Sequence, residues 1–274
     1  MSPSSKIQIG IVGCGAIGSR IARSIQKEFK GKARVSALFD IDPAKSQNLA
    51  RDCAQKSLVK KSLPQLLRSC DLMIEAVNAV ETQSLIRQAL SQHKDVLAMS
   101  VGKLLNSPSL FRLAQKNCCR LLIPSGAIAG VDAVKAASLA RIDSIILTTR
   151  KPPFGFKDNA YITRQGIDLA AIQSETVLFD GNVKEAVRFF PQNINVAATL
   201  TFASLSFMKV RIRIITSPAF TSNCHEIEVT GDFGRIFTRT ENVVCPDNPK
   251  TSFLAVLSAI QTLKQYLYET NIGT

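Results

Sequence analysis

Several features that mark particular classes of protein are missing from this 274-residue sequence. No apolar run approaches the roughly 20 residues that a membrane-spanning helix needs, and the polar start at residues 1–6 is too short for a signal peptide. Seven cysteines are scattered without a C-x-x-C pair, which argues against a zinc site or a disulfide framework. We therefore expect a soluble, cytoplasmic protein with reduced thiols, no metal and no membrane partner.

Acidic residues are also few: 21 against 34 basic residues, which gives a formal charge of +13. Such a charge raises nucleic acid as a partner. The basic residues are dispersed, however, with short clusters only at Lys60-Lys61 and Arg150-Lys151, and aromatic residues do not alternate with them. We expect small anionic ligands, such as a dinucleotide and an acidic substrate, and no nucleic acid.

The most informative stretch present is a glycine turn between a predicted strand and a predicted helix. The β-branched run at 7–12 is typical of a buried strand, and Gly13, Gly15 and Gly18 follow with G-x-G-x-x-G spacing. Gly13 would form the tight turn, Gly15 would let a pyrophosphate approach the backbone, and Gly18 would let the helix pack closely on the strand. With Ala16 and Ile17 at the helix start, these glycines predict a dinucleotide-binding turn.

An acidic residue follows the second strand at the position that this motif requires. The apolar strand 35–39 ends in Asp40, 22 residues after Gly18. A carboxylate there accepts hydrogen bonds from the ribose hydroxyls of NAD and repels the 2′-phosphate of NADP. Asp40 therefore predicts NAD as the cofactor, although Arg34 and Lys45 are near in sequence and could soften this preference toward NADP.

Strand and helix signals alternate up to residue 125, which predicts an α/β Rossmann domain with a parallel sheet and right-handed crossovers over 1–125. Asn78 follows the strand 71–77, and the carboxyl ends of such strands face the ligand, so Asn78 is a further cofactor candidate. The predicted elements of this domain are strands at 71–77, 96–101 and 119–123 and helices at 43–54, 81–92 and 107–117.

Small residues at 125–130 interrupt this alternation, and strand signals dominate beyond them. We therefore expect a second, smaller α+β domain with a mixed sheet over 126–251. A last apolar helix, Ser252–Tyr268, lies in a segment, 252–270, that we expect to pack back on the first domain. The predicted elements of the second domain are strands at 142–149, 175–179, 210–215, 226–230 and 235–239 and helices at 183–189 and 196–206.

Only two histidines are available for proton transfer. His93 lies at a polar helix end, where a solvated surface role is the better interpretation. His225 lies at the entry to a predicted strand, where it is either a structural residue or a catalytic acid or base. The residues alone leave both interpretations of His225 open.

Six motifs in order resemble the L-aspartate dehydrogenase family and cover nearly the whole chain, from Gly10 to Thr251. One departure is Ala129, where the family usually has glycine. The motifs are G-C-G-A-I-G at 13–18, P-S-G-A-I-A-G at 124–130, L-T-T-R-K at 147–151, F-P-Q-N-I-N-V-A-A-T at 190–199, N-C-H-E-I at 223–227 and N-P-K-T-S at 248–252.

The resemblance implies a homodimeric enzyme that oxidises L-aspartate with NAD or NADP to iminoaspartate, and then to oxaloacetate and ammonia. In members of this family the iminoaspartate can supply NAD biosynthesis. Two other functions stay open: a related reductase acting on an acid of the homoserine or dihydrodipicolinate type, and an NAD-binding protein without catalysis.

The resemblance also implies roles for individual residues. His225 matches the active-site histidine, which could activate the attacking water, and Ala127 matches an alanine whose backbone contacts the nicotinamide end of the cofactor. Asn195 matches a second cofactor contact, with Asn193 an alternative that the sequence does not separate from it. The substrate carboxylates need hydrogen-bond donors, and the candidates within matched motifs are Asn223, Arg150, Lys151 and Lys250.

Overall fold

The computed structural model describes residues 6–77, 79–191, 194–205, 209–246, 248–270 and 272–273, without the side chains of 248–250. The chain divides into two compact units. The first comprises Met1–Pro124 and Val256–Asn271, and the second comprises Ser125–Ala255 and Ile272–Thr274. The predicted boundaries, at 125/126 and 251/252, lie one and four residues from these divisions.

The first unit contains a five-stranded parallel sheet in the order β2-β1-β3-β4-β5. Its middle strands are buried on both faces, since β1 and β3 consist largely of apolar residues without alternation. This confirms the predicted Rossmann class. The strands are β1 (Ile7–Val12), β2 (Ala33–Phe39), β3 (Leu72–Glu75), β4 (Asp95–Ala98) and β5 (Leu121–Leu122), and the helices are α1 (Ala16–Glu28), α2 (Pro43–Asp52), α3 (Leu63–Leu67), α4 (Thr82–Ser91) and α5 (Pro108–Lys116).

Strands β3 and β4 end earlier than the apolar runs predict. The predicted strands 71–77 and 96–101 stop at Glu75 and Ala98. The physical reason is that the backbone N–H groups of Val77 and Ser100 donate to the Glu75 carboxyl group and not to a neighbouring strand. A short 3-10 turn, Val101–Leu104, follows β4.

The second unit contains a five-stranded sheet in the order β10-β9-β6-β8-β7. The sheet is mixed, which confirms the predicted class of this unit. Strands β6 and β8 are parallel, and the other neighbours are antiparallel. The elements are α6 (Val131–Ala137), β6 (Ile142–Lys151), α7 (Ala160–Arg164), β7 (Thr176–Asn182), α8 (Val183–Phe189), α9 (Ile194–Ser204), β8 (Val210–Thr216), β9 (Asn223–Gly231), β10 (Gly234–Asn242), β11 (Val244–Cys245) and β12 (Asn248–Ser252).

The two faces of this second sheet differ in polarity. One face carries buried apolar residues such as Leu147 and its cross-strand neighbours Ile212 and Ile227, and α8 and α9 contact β8. The opposite face carries ion pairs, among them Arg211–Asp180 and Arg235–Glu228. We call these the apolar face and the charged face.

The chain ends in helix α10 (Phe253–Leu267), whose later part belongs to the first unit. Ala259 and Leu263 are fully buried in the apolar core beside the parallel sheet, and the Tyr266 hydroxyl donates to Asp95 Oδ2 at 2.8 Å. The predicted helix Ser252–Tyr268 is confirmed to within one residue at each end, and Ser252 itself pairs with Val244 in the hairpin β11–β12. None of the described helices is both long and apolar enough to span a bilayer.

Candidate active site

The three glycines of the turn meet three different surroundings. Gly13 has a φ of +95°, and a Cβ there would lie 2.5 Å from the carbonyl oxygen of Ala76. A Cβ on Gly18 would lie 1.9 Å from the carbonyl oxygen of Gly13, whereas a Cβ on Gly15 would meet no atom within 4 Å. Two glycines are thus required by the protein's own packing, and the third borders open space.

The start of α1 offers backbone donors beside this open space. Gly15 is the N-cap residue and supplies no side-chain capping bond, and the first turn, which includes Ala16 and Ile17, holds no acidic residue. Unpaired N–H groups at a helix N-terminus, together with the helix dipole, bind phosphate groups. The glycine turn therefore fits the pyrophosphate of a dinucleotide.

Asp40 is fixed directly to the glycine turn. Its Oδ2 accepts a hydrogen bond from the Cys14 N–H at 2.7 Å, and its Oδ1 accepts one from the Asp42 N–H at 2.9 Å. Arg34 lies at the opposite end of β2, where Nε donates to Gln8 Oε1 at 2.6 Å. Six residues of extended strand separate Arg34 from Asp40 by about 20 Å, so the suggestion that Arg34 softens the cofactor preference is wrong.

Cys14 lies within the turn but is not a reactive thiol. Burial, with a contribution from the nearby Asp40, raises the pKa of the Cys14 thiol to about 12. All seven cysteines are free. Because the thiolate is the reactive form and Cys14 stays protonated, its side chain only fills space beside the turn.

Strand β3 and the residues after it concern one predicted site residue and one that was not predicted. Asn78 lies outside the described residues. Glu75, which belongs to none of the recognised motifs, is fully buried and accepts hydrogen bonds from Val77 and Ser100. The available signal was a single carboxylate inside an otherwise apolar strand, a residue type that is seldom buried without partners.

In the second unit, His225 lies on the apolar face and is 6% exposed. Its Nδ1 is 3.0 Å from Thr149 Oγ1, its cross-strand neighbour. Burial and, second, the charge of Lys151 lower the pKa of His225 to about 3. The imidazole is therefore neutral at physiological pH.

The Thr149 hydroxyl identifies the tautomer of that imidazole. Thr149 is 2% exposed, and within the described ranges its hydroxyl has no hydrogen-bond partner other than His225 Nδ1. A buried hydroxyl proton without an acceptor costs about 1–3 kcal/mol. Thr149 therefore donates to Nδ1, and the proton of the neutral His225 is on Nε2.

The cationic substrate candidates fall on opposite faces of the sheet. Lys151 lies two residues beyond Thr149 on β6 and thus shares its face with His225, and burial lowers the pKa of Lys151 to about 8. Arg150 points to the charged face, where its guanidinium is 3.3 Å from the Glu226 carboxylate and 2.5 Å from that of Glu175. These two ion pairs and the face opposite to His225 argue against Arg150 as a partner for a substrate carboxylate, a role that stays a prediction.

The remaining candidates are placed less closely. Asn223 begins β9, two residues before His225, and is half-buried. Lys250 lies in β12, and its side chain is outside the described residues. Asn195 is exposed in the first turn of α9, whereas Asn193 is not described. His93 is exposed, as its predicted surface role requires.

The segment 126–130 is bound to β10. The Ala127 carbonyl accepts a hydrogen bond from Asn242 Nδ2 at 3.1 Å, and Ala129 exchanges bonds with Thr240 and Thr238 through its N–H and C=O groups at 3.2 Å. The positive φ angles of this segment fall on Gly126 and Gly130. Ala129 is exposed and has no positive φ, so the alanine that departs from the family motif is accommodated without strain.

Comparison with known proteins agrees with this arrangement. Residues 13–124 match the family model described as the NAD-binding domain of homoserine dehydrogenase, and residues 132–266 match the model described as the C-terminal domain of aspartate dehydrogenase. The chain is 43% identical over 271 residues to an L-aspartate dehydrogenase from Methanosarcina barkeri, covering 98% of this chain and 100% of the relative. The corresponding enzyme from Methanosarcina mazei is 41% identical over the same lengths.

The chain belongs to the L-aspartate dehydrogenase family. The predicted resemblance is thereby confirmed. Among solved structures, the aspartate dehydrogenase of Thermotoga maritima matches with a TM-score of 0.74 at 21% identity and covers 98% of this chain and 100% of its own. A homoserine dehydrogenase from Thiobacillus denitrificans matches with a TM-score of 0.60 at 14% identity, covering 94% of this chain and 72% of its own. Because these sequence identities are below 25%, the two solved structures confirm the fold of this chain and nothing about its activity.

Proposed function

We propose that this chain oxidises L-aspartate with a nicotinamide dinucleotide to iminoaspartate, which water converts to oxaloacetate and ammonia. The observation that carries the proposal is the buried cluster of His225, Thr149 and Lys151 in a chain related over its whole length to L-aspartate dehydrogenases. When bound, the nicotinamide supplies the acceptor of the substrate hydride. The first unit's glycine turn and Asp40 are the residues that fit this cofactor.

Lys151 is the group best suited to take a proton from the substrate. Aspartate must lose its ammonium proton before its α-hydride can leave. Because burial lowers the pKa of Lys151 to about 8, a substantial fraction of its amine is neutral at mildly alkaline pH and can accept that proton. One such acid–base group typically contributes about 10²–10⁴-fold to the rate.

His225 then acts as a neutral hydrogen-bond donor. Since Nδ1 accepts from Thr149, the proton on Nε2 can be donated to a substrate carboxylate or to the oxygen of the attacking water after it has bonded to carbon. A pKa of about 3 makes the imidazole a weak base. This assigns His225 to orientation and electrostatic stabilisation, and replaces the earlier hypothesis that it activates the water.

NAD, more than NADP, is the cofactor that the turn favours. The Asp40 carboxylate is fixed beside the turn by the Cys14 N–H, where its charge repels a 2′-phosphate. Lys45, the other cation proposed to soften this preference, lies 4.0 Å from Asp42 Oδ2 through its Nζ, so its charge is directed in part to that carboxylate.

The resemblance further supports a homodimer, a cytoplasmic location and supply of iminoaspartate to NAD biosynthesis. On the charged face, the edge strand β10 bears Phe237, which is 56% exposed, and aromatic residues are enriched in protein–protein interfaces. Sedimentation of the wild type and of Phe237→Glu tests this dimer, because the added charge should release monomers.

The activity itself is tested by following NADH absorbance with NAD and L-aspartate, with D-aspartate, glutamate and homoserine in parallel. Turnover on L-aspartate alone is the expected result. Turnover on another acid and none on L-aspartate would favour a related reductase, and cofactor binding without turnover on any of them would favour a non-catalytic protein.

A further inference from the structure

Glu75 ends the central strand β3 and has no part in the mechanism above. Its side chain is fully buried. Oε1 accepts a hydrogen bond from the Val77 N–H at 3.0 Å and lies 2.8 Å from Ser100 Oγ, and Oε2 accepts one from the Ser100 N–H at 3.0 Å. One carboxyl group thus joins the loop that follows β3 to the turn that follows β4.

The hydrogen-bond partners of Glu75 are all uncharged. Ser100 Oγ lies 2.8 Å from Oε1, and the other two partners are the backbone N–H groups of Val77 and Ser100. A carboxylate that is buried without a cation is costly, and such a group takes up a proton instead.

A protonated Glu75 satisfies every contact. Its Oε1–H donates to Ser100 Oγ, whose hydroxyl donates in turn to the Val77 carbonyl, and both backbone N–H groups keep their acceptors. Burial raises the pKa of Glu75, and the hydrogen bonds from Ser100, Val77 and Met99 lower it by less. Within the described part of the chain, no charged side chain contributes to the shift, so no cation stabilises a carboxylate here.

The cluster lies where the first sheet reverses its strand order. Strands β1 and β3 are neighbours, and the chain leaves them toward opposite edges of the sheet. At such a switch point a ligand binds beyond the carboxyl ends of the strands. Ala76 directly follows Glu75, and its N–H donates to the Val12 carbonyl at 2.8 Å. The carbonyl oxygen of Ala76 lies 2.5 Å from the point where a Cβ on Gly13 would be.

We propose that Glu75 is a neutral carboxylic acid that, with Ser100, positions Ala76 and Val77 against the glycine turn and so prepares the turn for the dinucleotide. The functional half of this proposal rests on the proposed role of the glycine turn. Glu75 is a positioning residue and does not touch the reacting atoms. Its loss should therefore weaken cofactor binding and leave the chemical step nearly unchanged.

The protonation of Glu75 is measured directly by infrared spectroscopy of protein labelled with ¹³C at its glutamate carboxyl groups. At pH 8, ordinary glutamates are ionised, so we expect one band of a protonated carboxyl group that shifts in D₂O and is absent from Glu75→Gln. A spectrum with carboxylate bands only would overturn the proposal. The wild-type band and its D₂O shift suffice if Glu75→Gln does not fold, and neither needs cofactor or activity.

The positioning role is measured with Ser100→Thr and Ser100→Val, which have the same shape and differ by one hydroxyl group. We expect the KM for NAD to be about fivefold higher in Ser100→Val than in Ser100→Thr, the effect of one hydrogen bond, with kcat equal within about twofold. Equal KM values, or a loss confined to kcat, would refute the positioning role. If the infrared band is present but no substrate turns over, dinucleotide dissociation constants replace KM, and the proposed reaction fails separately from this proposal.

Discussion

Replacing Gly18 by alanine tests the division of labour within the glycine turn. The ideal Cβ would lie 1.9 Å from the carbonyl oxygen of Gly13, whereas separations below 3.0 Å are essentially never observed. The start of α1 must therefore move away from the turn by about 1 Å. Because the obstacle is backbone and not a flexible side chain, we expect the upper end of the overpacking range, about 3 kcal/mol.

The matched control is Gly15→Ala, in the same turn. Gly15 has a φ of −74° and open space around it, so alanine should change the free energy of unfolding by less than about 0.5 kcal/mol. Its methyl group would instead occupy the space into which a pyrophosphate must fit, and we expect the dissociation constant for NADH to rise about tenfold or more, which is about 1.4 kcal/mol.

The two variants should thus fail in different assays. Because 1 kcal/mol shifts the unfolding temperature by about 2–4 °C, the unfolding temperature of Gly18→Ala should fall by about 6–12 °C. Gly15→Ala should unfold at the same temperature as the wild type. NADH fluorescence titration gives the affinities. A stable Gly18→Ala, or a Gly15→Ala that binds NADH normally, would refute the reasoning.

The other predictions concern the second unit and cofactor choice. Thr149→Val should lower kcat about tenfold, since His225 Nδ1 loses its hydrogen-bond donor, whereas Thr149→Ser keeps the hydroxyl and should keep the wild-type kcat. Equal kcat values in the two variants would contradict the assigned tautomer. Wild-type kcat/KM should rise with pH through about 8 as Lys151 loses its proton. Lys151→Met cannot accept a proton, so its kcat/KM should not rise over this pH range. A rise that persists in Lys151→Met would assign the titration to another group. Asp40→Asn should raise the catalytic efficiency with NADP relative to NAD at least tenfold, by removing a charge beside the 2′-phosphate; an unchanged ratio would contradict the role of Asp40.

The glycine turn and Asp40 could be predicted because their meaning depends on local spacing. Arg150 could not be resolved in the same way. Whether a strand residue faces the substrate side depends on the phase of the strand, and here that phase is defined by pairing with Glu226 and His225, about 75 residues away in sequence. Glu75 was overlooked for a related reason, since its partner Ser100 lies 25 residues further along the chain.

The C-terminal helix shows the same limit on local patterns. The apolar run after residue 252 predicts a helix there, and the structure has one in Phe253–Leu267. Only the residue before it, Ser252, departs from the predicted helix, because it pairs with Val244 of β11, a contact that no spacing within the segment reveals. Long-range pairing, and not propensity, decided both the start of α10 and the strand β12.

The position of α10 has a consequence for how the chain matures. The parallel sheet is made of the first 124 residues, but part of its apolar cover, Ala259 and Leu263, is synthesised only after residues 125–255 of the second unit. During translation the first unit must wait, with that surface open, until the whole second unit has left the ribosome. A chain interrupted near residue 250 would therefore release a Rossmann unit with an uncovered apolar patch, a species prone to aggregate or to be captured by chaperones.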